Sequence, residues 1–174
     1  LAVGAACVLA AWYYTGGKRP YGYRGLGEAF VFVFFGLVAV SGTVLVQVGS
    51  VPPVTWPVAV GIGALTCAIL VANNLRDLAG DAKVGKRTLA TRLGDAGTRA
   101  LYVGLVAVAL AAVVLIAATA TPWALFGLAG ILRLIPAVIE VLQGATGREL
   151  IPVLKITGVG ELAYAIGLLL GFAA

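Results

Sequence analysis

The sequence predicts an all-α fold, a polytopic transmembrane helical bundle with six spans, and three observations carry that prediction. Of 174 residues, 61% are hydrophobic and 11% are charged, where ordinary soluble domains carry about 25% charged residues. Six apolar runs approach the length of about 20 residues at which a helix crosses a hydrocarbon core. The connectors between them alternate between strongly basic and uncharged, as loops on opposite sides of a membrane do. No repeat, low-complexity tract or soluble domain interrupts this pattern, so residues 1–174 read as a single transmembrane domain.

The first run, 1–17, begins without Met and without a charged flank. It is not a signal peptide; it reads as a span whose beginning lies outside this sequence. The loop KRPYGYRGLGE (18–28) follows, then spans at 29–51 and 54–75. Pro52 and Pro53 fit the start of the latter, where a missing N–H costs nothing. After the charged segment 76–99 come spans at 100–119, 122–142 (opened by Pro122) and 150–174. In the last of these Gly167 and Gly171, four apart, mark close helix packing. Segments 18–28 and 76–99 hold nine of the twelve Lys and Arg residues, and connectors 52–53 and 120–121 hold none. Basic loops stay cytoplasmic, so 18–28, 76–99 and the 143–149 turn are expected inside and both ends of the chain outside.

Composition also narrows function. The net charge of +5 does not point to nucleic acid, because the positive charge sits in short loops where membrane orientation accounts for it. Cys7 and Cys67 fall inside apolar runs and read as packing residues. His is absent, which removes imidazole catalysis and the usual zinc ligand. Four ionisable residues lie within the last two spans, where they are costly unless paired or functional. In an antiparallel hairpin one register sets Arg133 opposite Glu161 and Glu140 opposite Lys155, two pairs of opposite sign. Arg133 also has a second reading, as a group binding an anionic part of an acceptor substrate.

The segment LVANNLRDLAGDAKVGKRTLATRLG (70–94) concentrates the chemistry. Asn73, Asp77 and Asp81 recur every four residues and so share a helix face at the membrane boundary, with Asn74 on its edge. Two carboxylates and an amide oxygen form a hard-oxygen donor set of the kind that holds Mg2+ together with substrate phosphates. Lys83, Lys86, Arg87 and Arg92 follow at once, with Arg76 beside the aspartates. Acid next to base is what a metal-bridged diphosphate requires. The plainer alternative is a solvated loop whose bases only orient the protein. A second cluster, YYTGGKRPYGYRGLGE (13–28), sets Tyr14 and Lys18 four apart on the same side, followed by Arg19 and Arg24. Tyr14 and Lys18 also fit interfacial anchors, and Glu28 fits a helix-start carboxylate.

NNLRDLAGDAKVGKRTLATRLG resembles the second aspartate-rich motif of the UbiA superfamily of intramembrane prenyltransferases. In form it is most similar to the branch that prenylates 1,4-dihydroxy-2-naphthoate in menaquinone synthesis. YTGGKRPYGYRGLGE resembles that branch's loop between the fourth and fifth helices, with Tyr14 and Lys18 on its Tyr-x-x-x-Lys pattern. The resemblance covers essentially the whole chain. It implies transfer of a polyprenyl group from polyprenyl diphosphate to the naphthoate with loss of its carboxylate, giving demethylmenaquinone. Asp77 and Asp81, with Asn73 or Asn74, would hold Mg2+, and Lys18, Lys86 and Arg87 would neutralise the diphosphate, with Lys83 and Arg76 in reserve. Asp77, Asp81, Lys18 and Tyr14 are thus the expected catalytic residues, at a cytoplasmic-side site in a bacterial cytoplasmic membrane. The family has eight or nine helices and a first Asp-rich motif that this sequence lacks. The chain is therefore expected to be the last six of nine helices, partnered by the N-terminal helices of the same protein and inactive alone. Two other readings stay open: the same chemistry on another aromatic acceptor such as 4-hydroxybenzoate, and a secondary transporter.

Overall fold

The computed structural model describes residues 2–16 and 25–174, apart from the side chains of Val3, Tyr14 and Thr15. Six helical elements make up the described chain: α1 (Ala2–Thr15), α2 (Gly27–Val48), α3 (Thr55–Lys83), α4 (Leu89–Thr119), α5 (Pro122–Leu142) and α6 (Gly147–Ala173). Elements α2 to α6 are each long and apolar enough to cross a membrane. Helix α1 has 14 residues and is shorter than a full span.

The bundle is built around α3, which packs against α2, α4 and α6. Its buried positions are mostly small, with Ala59, Ala64, Ala68 and Ala72 inaccessible to solvent. Small residues let helix backbones approach closely, which is how helices associate when lipid removes the hydrophobic drive between them. The crossing with α2 shows this directly. A Cβ added to Gly36 would stand 2.6 Å from the Cα of Gly63. Helix α2 adopts a π-helical stretch at Phe32–Val38 around that contact. The two largest buried side chains each find a polar partner. The Tyr102 hydroxyl lies 2.8 Å from Thr157 Oγ1, and the Tyr164 hydroxyl donates to the Ala109 carbonyl at 3.2 Å.

Helices α5 and α6 form the expected antiparallel hairpin in the expected register. Leu134 lies against Gly160, Gly130 against Tyr164, Gly127 against Gly167 and Ala124 against Gly171. The two ion pairs inferred for this hairpin do not form. Arg133, Glu140 and Lys155 are all exposed, and Glu161 instead accepts a 2.6 Å hydrogen bond from Thr66 Oγ1 on α3. The depth match was correct, but the glycines decide which faces meet. Gly130 and Gly160 turn the small-residue stripe of each helix toward the other and leave Arg133 outside the contact.

Gly130 is one of the tight points of that contact. A Cβ there would come within 2.6 Å of Tyr164 Cβ and 2.5 Å of its backbone nitrogen, neither of which can yield locally. Gly130→Val is expected to destabilise the protein by about 1–3 kcal/mol, the usual range for overpacking. Gly104→Val on α4, where a Cβ meets nothing within 4 Å, is the matched control. Thermal unfolding in detergent compares the two, and equal midpoints would contradict this account of the hairpin.

Candidate active site

The 29 residues of α3 extend for about 44 Å at 1.5 Å per residue. A hydrocarbon core is about 30 Å thick, which the apolar part of α3 up to Leu75 fills. The last two turns, carrying Arg76, Asp77, Asp81 and Lys83, therefore project beyond it as helix. Only Val84–Thr88 separates α3 from α4, so most of the segment expected as a loop is helical. Leu89–Leu93 forms a short first stretch of α4 before a kink at Gly94 (φ 71°, ψ −177°).

The turn after α3 explains the order Gly-Lys-Arg-Thr. Gly85 takes a left-handed conformation (φ 71°). Its N–H donates to the Ala82 carbonyl at 3.3 Å, and the Lys86 N–H donates to the Asp81 carbonyl at 2.9 Å. This is a Schellman closure, which satisfies carbonyls a helix end would otherwise leave open. Thr88 then caps α4 by accepting the Thr91 N–H at 3.2 Å. Lys86 is thereby folded back over the helix end it follows. Its Nζ lies 3.2 Å from both carboxylate oxygens of Asp81.

Asp81 is the unusual group. Its side chain is 12% exposed. Lys86 meets Oδ1 with hydrogen-bond geometry, while Oδ2 is buried without a hydrogen-bond partner. Oδ2 thus has ion-pair contact with the Lys86 ammonium but no hydrogen bond, which leaves a coordination direction open on it. Asp77, one turn earlier, is 40% exposed and gripped on both oxygens by Arg76, at 2.8 Å each. Asn73 is half-buried on the same face. Asn74 turns toward α2, where its Nδ2 donates to Glu28 Oε1 at 2.8 Å. Glu28 itself is buried in the first turn of α2. Among the described residues no three His, Cys, Asp or Glu side chains converge. The oxygen donors in place on this face are Asp77, Asp81 and the Asn73 amide, a hard set matching Mg2+ rather than a softer metal.

Lys83, in the last turn of α3, and Arg87, in the turn that follows, are exposed. Arg92 reaches across to the start of α2, where a Cβ on Gly25 would lie 3.0 Å from its Nε. The side chain of Tyr14, and all of Lys18, Arg19 and Arg24, lie outside the described residues. Arg133 is exposed on α5, with no ion pair among the described residues.

Against this geometry, the sequence profile of the UbiA prenyltransferase family matches residues 1–150. The chain belongs to the UbiA prenyltransferase family. It is similar to a 1,4-dihydroxy-2-naphthoate octaprenyltransferase of Mycobacterium tuberculosis, with 52% identity over 166 residues that cover 95% of this chain and 56% of that protein. A protein of the same name from Haemophilus influenzae is 41% identical over 176 residues, covering 97% of this chain and 57% of its own length. UbiA prenyltransferase domain-containing protein 1 of Gallus gallus is 39% identical over 95 residues, covering 53% of this chain and 28% of that protein. The chain thus spans a little over half the length of the first two relatives. No solved structure matches it.

As a multi-pass member of the UbiA family, the protein holds its charged cluster with two contacts that sequence reasoning did not find. One is the Glu28–Asn74 bond, which ties α2 to the charged end of α3. Its signal was a lone acid just ahead of an apolar run. The other is Arg99, buried at 9% exposure. It grips Asp95 at 2.6 and 2.8 Å and donates to the carbonyls of Val141 at 2.6 Å and Ala145 at 3.0 Å. Those carbonyls belong to the end of α5 and the turn after it, so Arg99 latches the start of α4 to the hairpin. Asp95 and Arg99 stand four apart, a helical pairing visible in the sequence; the carbonyl partners are not.

Proposed function

We propose that this chain carries the second metal-binding motif of a Mg2+-dependent aromatic prenyltransferase. The full-length protein would transfer a polyprenyl group from polyprenyl diphosphate to 1,4-dihydroxy-2-naphthoate with release of CO2 and diphosphate, giving the reduced, quinol form of demethylmenaquinone. The observation that carries this reading is the buried Asp81 carboxylate, whose Oδ2 has ion-pair contact with Lys86 but no hydrogen bond, on one helix face with Asp77 and Asn73. Asp77 and Asp81 would hold Mg2+, with Asn73 assisting and Asn74 beside them. The ion would supply charge neutralisation of the diphosphate, as a Lewis acid does.

The protein's own groups do the rest. Lys86, in contact with Asp81, and the exposed Lys83 and Arg87 that flank it in sequence would supply positive charge that stabilises a departing diphosphate. Arg76, which holds Asp77 in the structure, is a planar guanidinium placed to turn to a phosphate oxygen. Lys18 and Tyr14 would join from the preceding loop, following the motif resemblance. An apolar groove of about 530 Å3 between α1 and α2, lined by Cys7, Ala11, Phe30, Phe34 and Phe35, suits part of the prenyl chain. Breaking the C–O bond leaves an allylic cation, which an apolar bundle shields from water. The electron-rich ring then attacks it. The basic-loop pattern supports a cytoplasmic-side site in a bacterial cytoplasmic membrane.

Membranes containing the full-length protein, an allylic polyprenyl diphosphate and Mg2+ test this with 1,4-dihydroxy-2-naphthoate and 4-hydroxybenzoate offered in parallel. Product from the naphthoate, lacking its carboxyl group by mass, is expected. Product from the benzoate alone would retain the chemistry and replace the acceptor. No product from either would overturn the reading.

A further inference from the structure

We propose that Thr66 and Glu161 form the subsite that receives a hydroxyl group of the aromatic acceptor. This rests on the prenyltransferase reading above and adds a substrate contact to it. Glu161 lies near the middle of α6, where an ionisable side chain is costly and marks a functional site by default. It makes no ion pair among the described residues. Its one hydrogen bond there is with Thr66 Oγ1 at 2.6 Å. The same hydroxyl lies 2.9 Å from the Ile62 carbonyl, and a threonine has a single proton to give. A carboxylate has about four lone-pair directions, so one contact with a shared hydroxyl leaves most of its accepting capacity unused. Glu161 is only half-buried, so a ligand can reach it.

Its position relative to the metal face is what identifies the ligand. Thr66 precedes Asn73 by seven residues and Asp77 by eleven. Seven residues turn an α-helix by two turns with a drift of only about 20°, so all three share one stripe of α3. Thr66 lies about 10 Å deeper than Asn73 along that stripe. Gly158, one turn from Glu161 toward the charged end, faces α3, and the atom nearest to an added Cβ is Ile69 Cδ1 at 4.0 Å. The other glycines of α6 beyond it, Gly160, Gly167 and Gly171, are pressed against α5; Gly158 has no such packing reason to be small. A flat ring between Thr66 and Asn73 would have its hydroxyl on Glu161 and its reactive carbons toward the diphosphate. A dihydroxylated aromatic carries the hydroxyl that such an accepting carboxylate would take.

The test uses the full-length protein, with Glu161→Gln and Thr66→Val compared with wild type. Substrates are 1,4-dihydroxy-2-naphthoate and its analogue lacking the 4-hydroxyl. Wild-type turnover of the naphthoate is read first; its absence overturns the prenyltransferase reading, and the subsite with it. With turnover present, Glu161→Gln is expected to raise the acceptor KM at least about 10-fold, the scale of a lost hydrogen bond to a charged group. It should also narrow the preference for the dihydroxy acceptor, with the KM for polyprenyl diphosphate and for Mg2+ within about 2-fold of wild type. Thr66→Val is expected to shift the same two quantities less, and it carries the test alone if Glu161→Gln does not accumulate. An unchanged acceptor KM and preference, or an equal rise in acceptor and donor KM, would overturn the subsite and leave the prenyltransferase reading standing.

Discussion

Asp81→Asn in the full-length protein is expected to lower Mg2+-dependent turnover by at least about 100-fold. Losing even an outer-shell partner of a metal typically costs about 10–100-fold, and a direct ligand stands above that range. Asp81 is the stronger of the two aspartates because its environment is otherwise unexplained. Its buried Oδ2 has ion-pair contact with Lys86 but no hydrogen bond, whereas both oxygens of Asp77 are held by Arg76. Asparagine keeps the shape and removes the charge, so a folding failure is not the expected cause of any loss. A second readout separates metal binding from catalysis. A ligand at 100 times its Kd stabilises the native state by about 2.7 kcal/mol, so saturating Mg2+ should raise the wild-type unfolding temperature. The same addition should leave Asp81→Asn unmoved. Near-normal turnover in both Asp81→Asn and Asp77→Asn would remove the metal assignment.

Arg99→Ala is expected to cost at least about 2 kcal/mol of stability. Hydrogen bonds to charged groups contribute about 1.5–3 kcal/mol, and this guanidinium serves Asp95 and two carbonyls at once. Its removal leaves the carbonyls of Val141 and Ala145 without that donor at a helix end, where few other donors are available. Arg99→Lys should restore only part of the loss, because a single ammonium cannot reproduce a planar fork that reaches three acceptors. Thermal unfolding in detergent, with limited proteolysis at the turn after α5, measures both variants. An alanine variant within about 0.5 kcal/mol of wild type, the range of ordinary surface substitutions, would show that the latch is decorative.

Membrane architecture was readable because its determinants are local. Span length, apolar run and charge asymmetry need no knowledge of which helices touch, and five of the six expected spans recur as full-length helices. The acidic stripe was readable for the same reason: a four-residue spacing places Asn73, Asp77 and Asp81 on one face wherever the helix sits. The GKRT turn hid more than it showed. Its Lys and Arg stood out as positive charge, but Gly85 and Thr88 do the shaping, returning Lys86 to Asp81 through backbone geometry. The Glu28–Asn74 bond joins residues 46 apart in sequence, and no local pattern announces it.

The α5–α6 hairpin separates the two kinds of information most clearly. Depth along a helix is a one-dimensional quantity that accumulates residue by residue, so the sequence by itself determined that Arg133 and Glu161 lie at the same level. Rotation of each helix about its axis is a second variable, set by where two backbones can approach. Gly130 and Gly160 make that choice. They turn Arg133 outward and send Glu161 to Thr66 on a third helix. Only the tertiary structure could decide it, because the contact energy of close-packed glycines belongs to the pair of helices and to neither sequence alone.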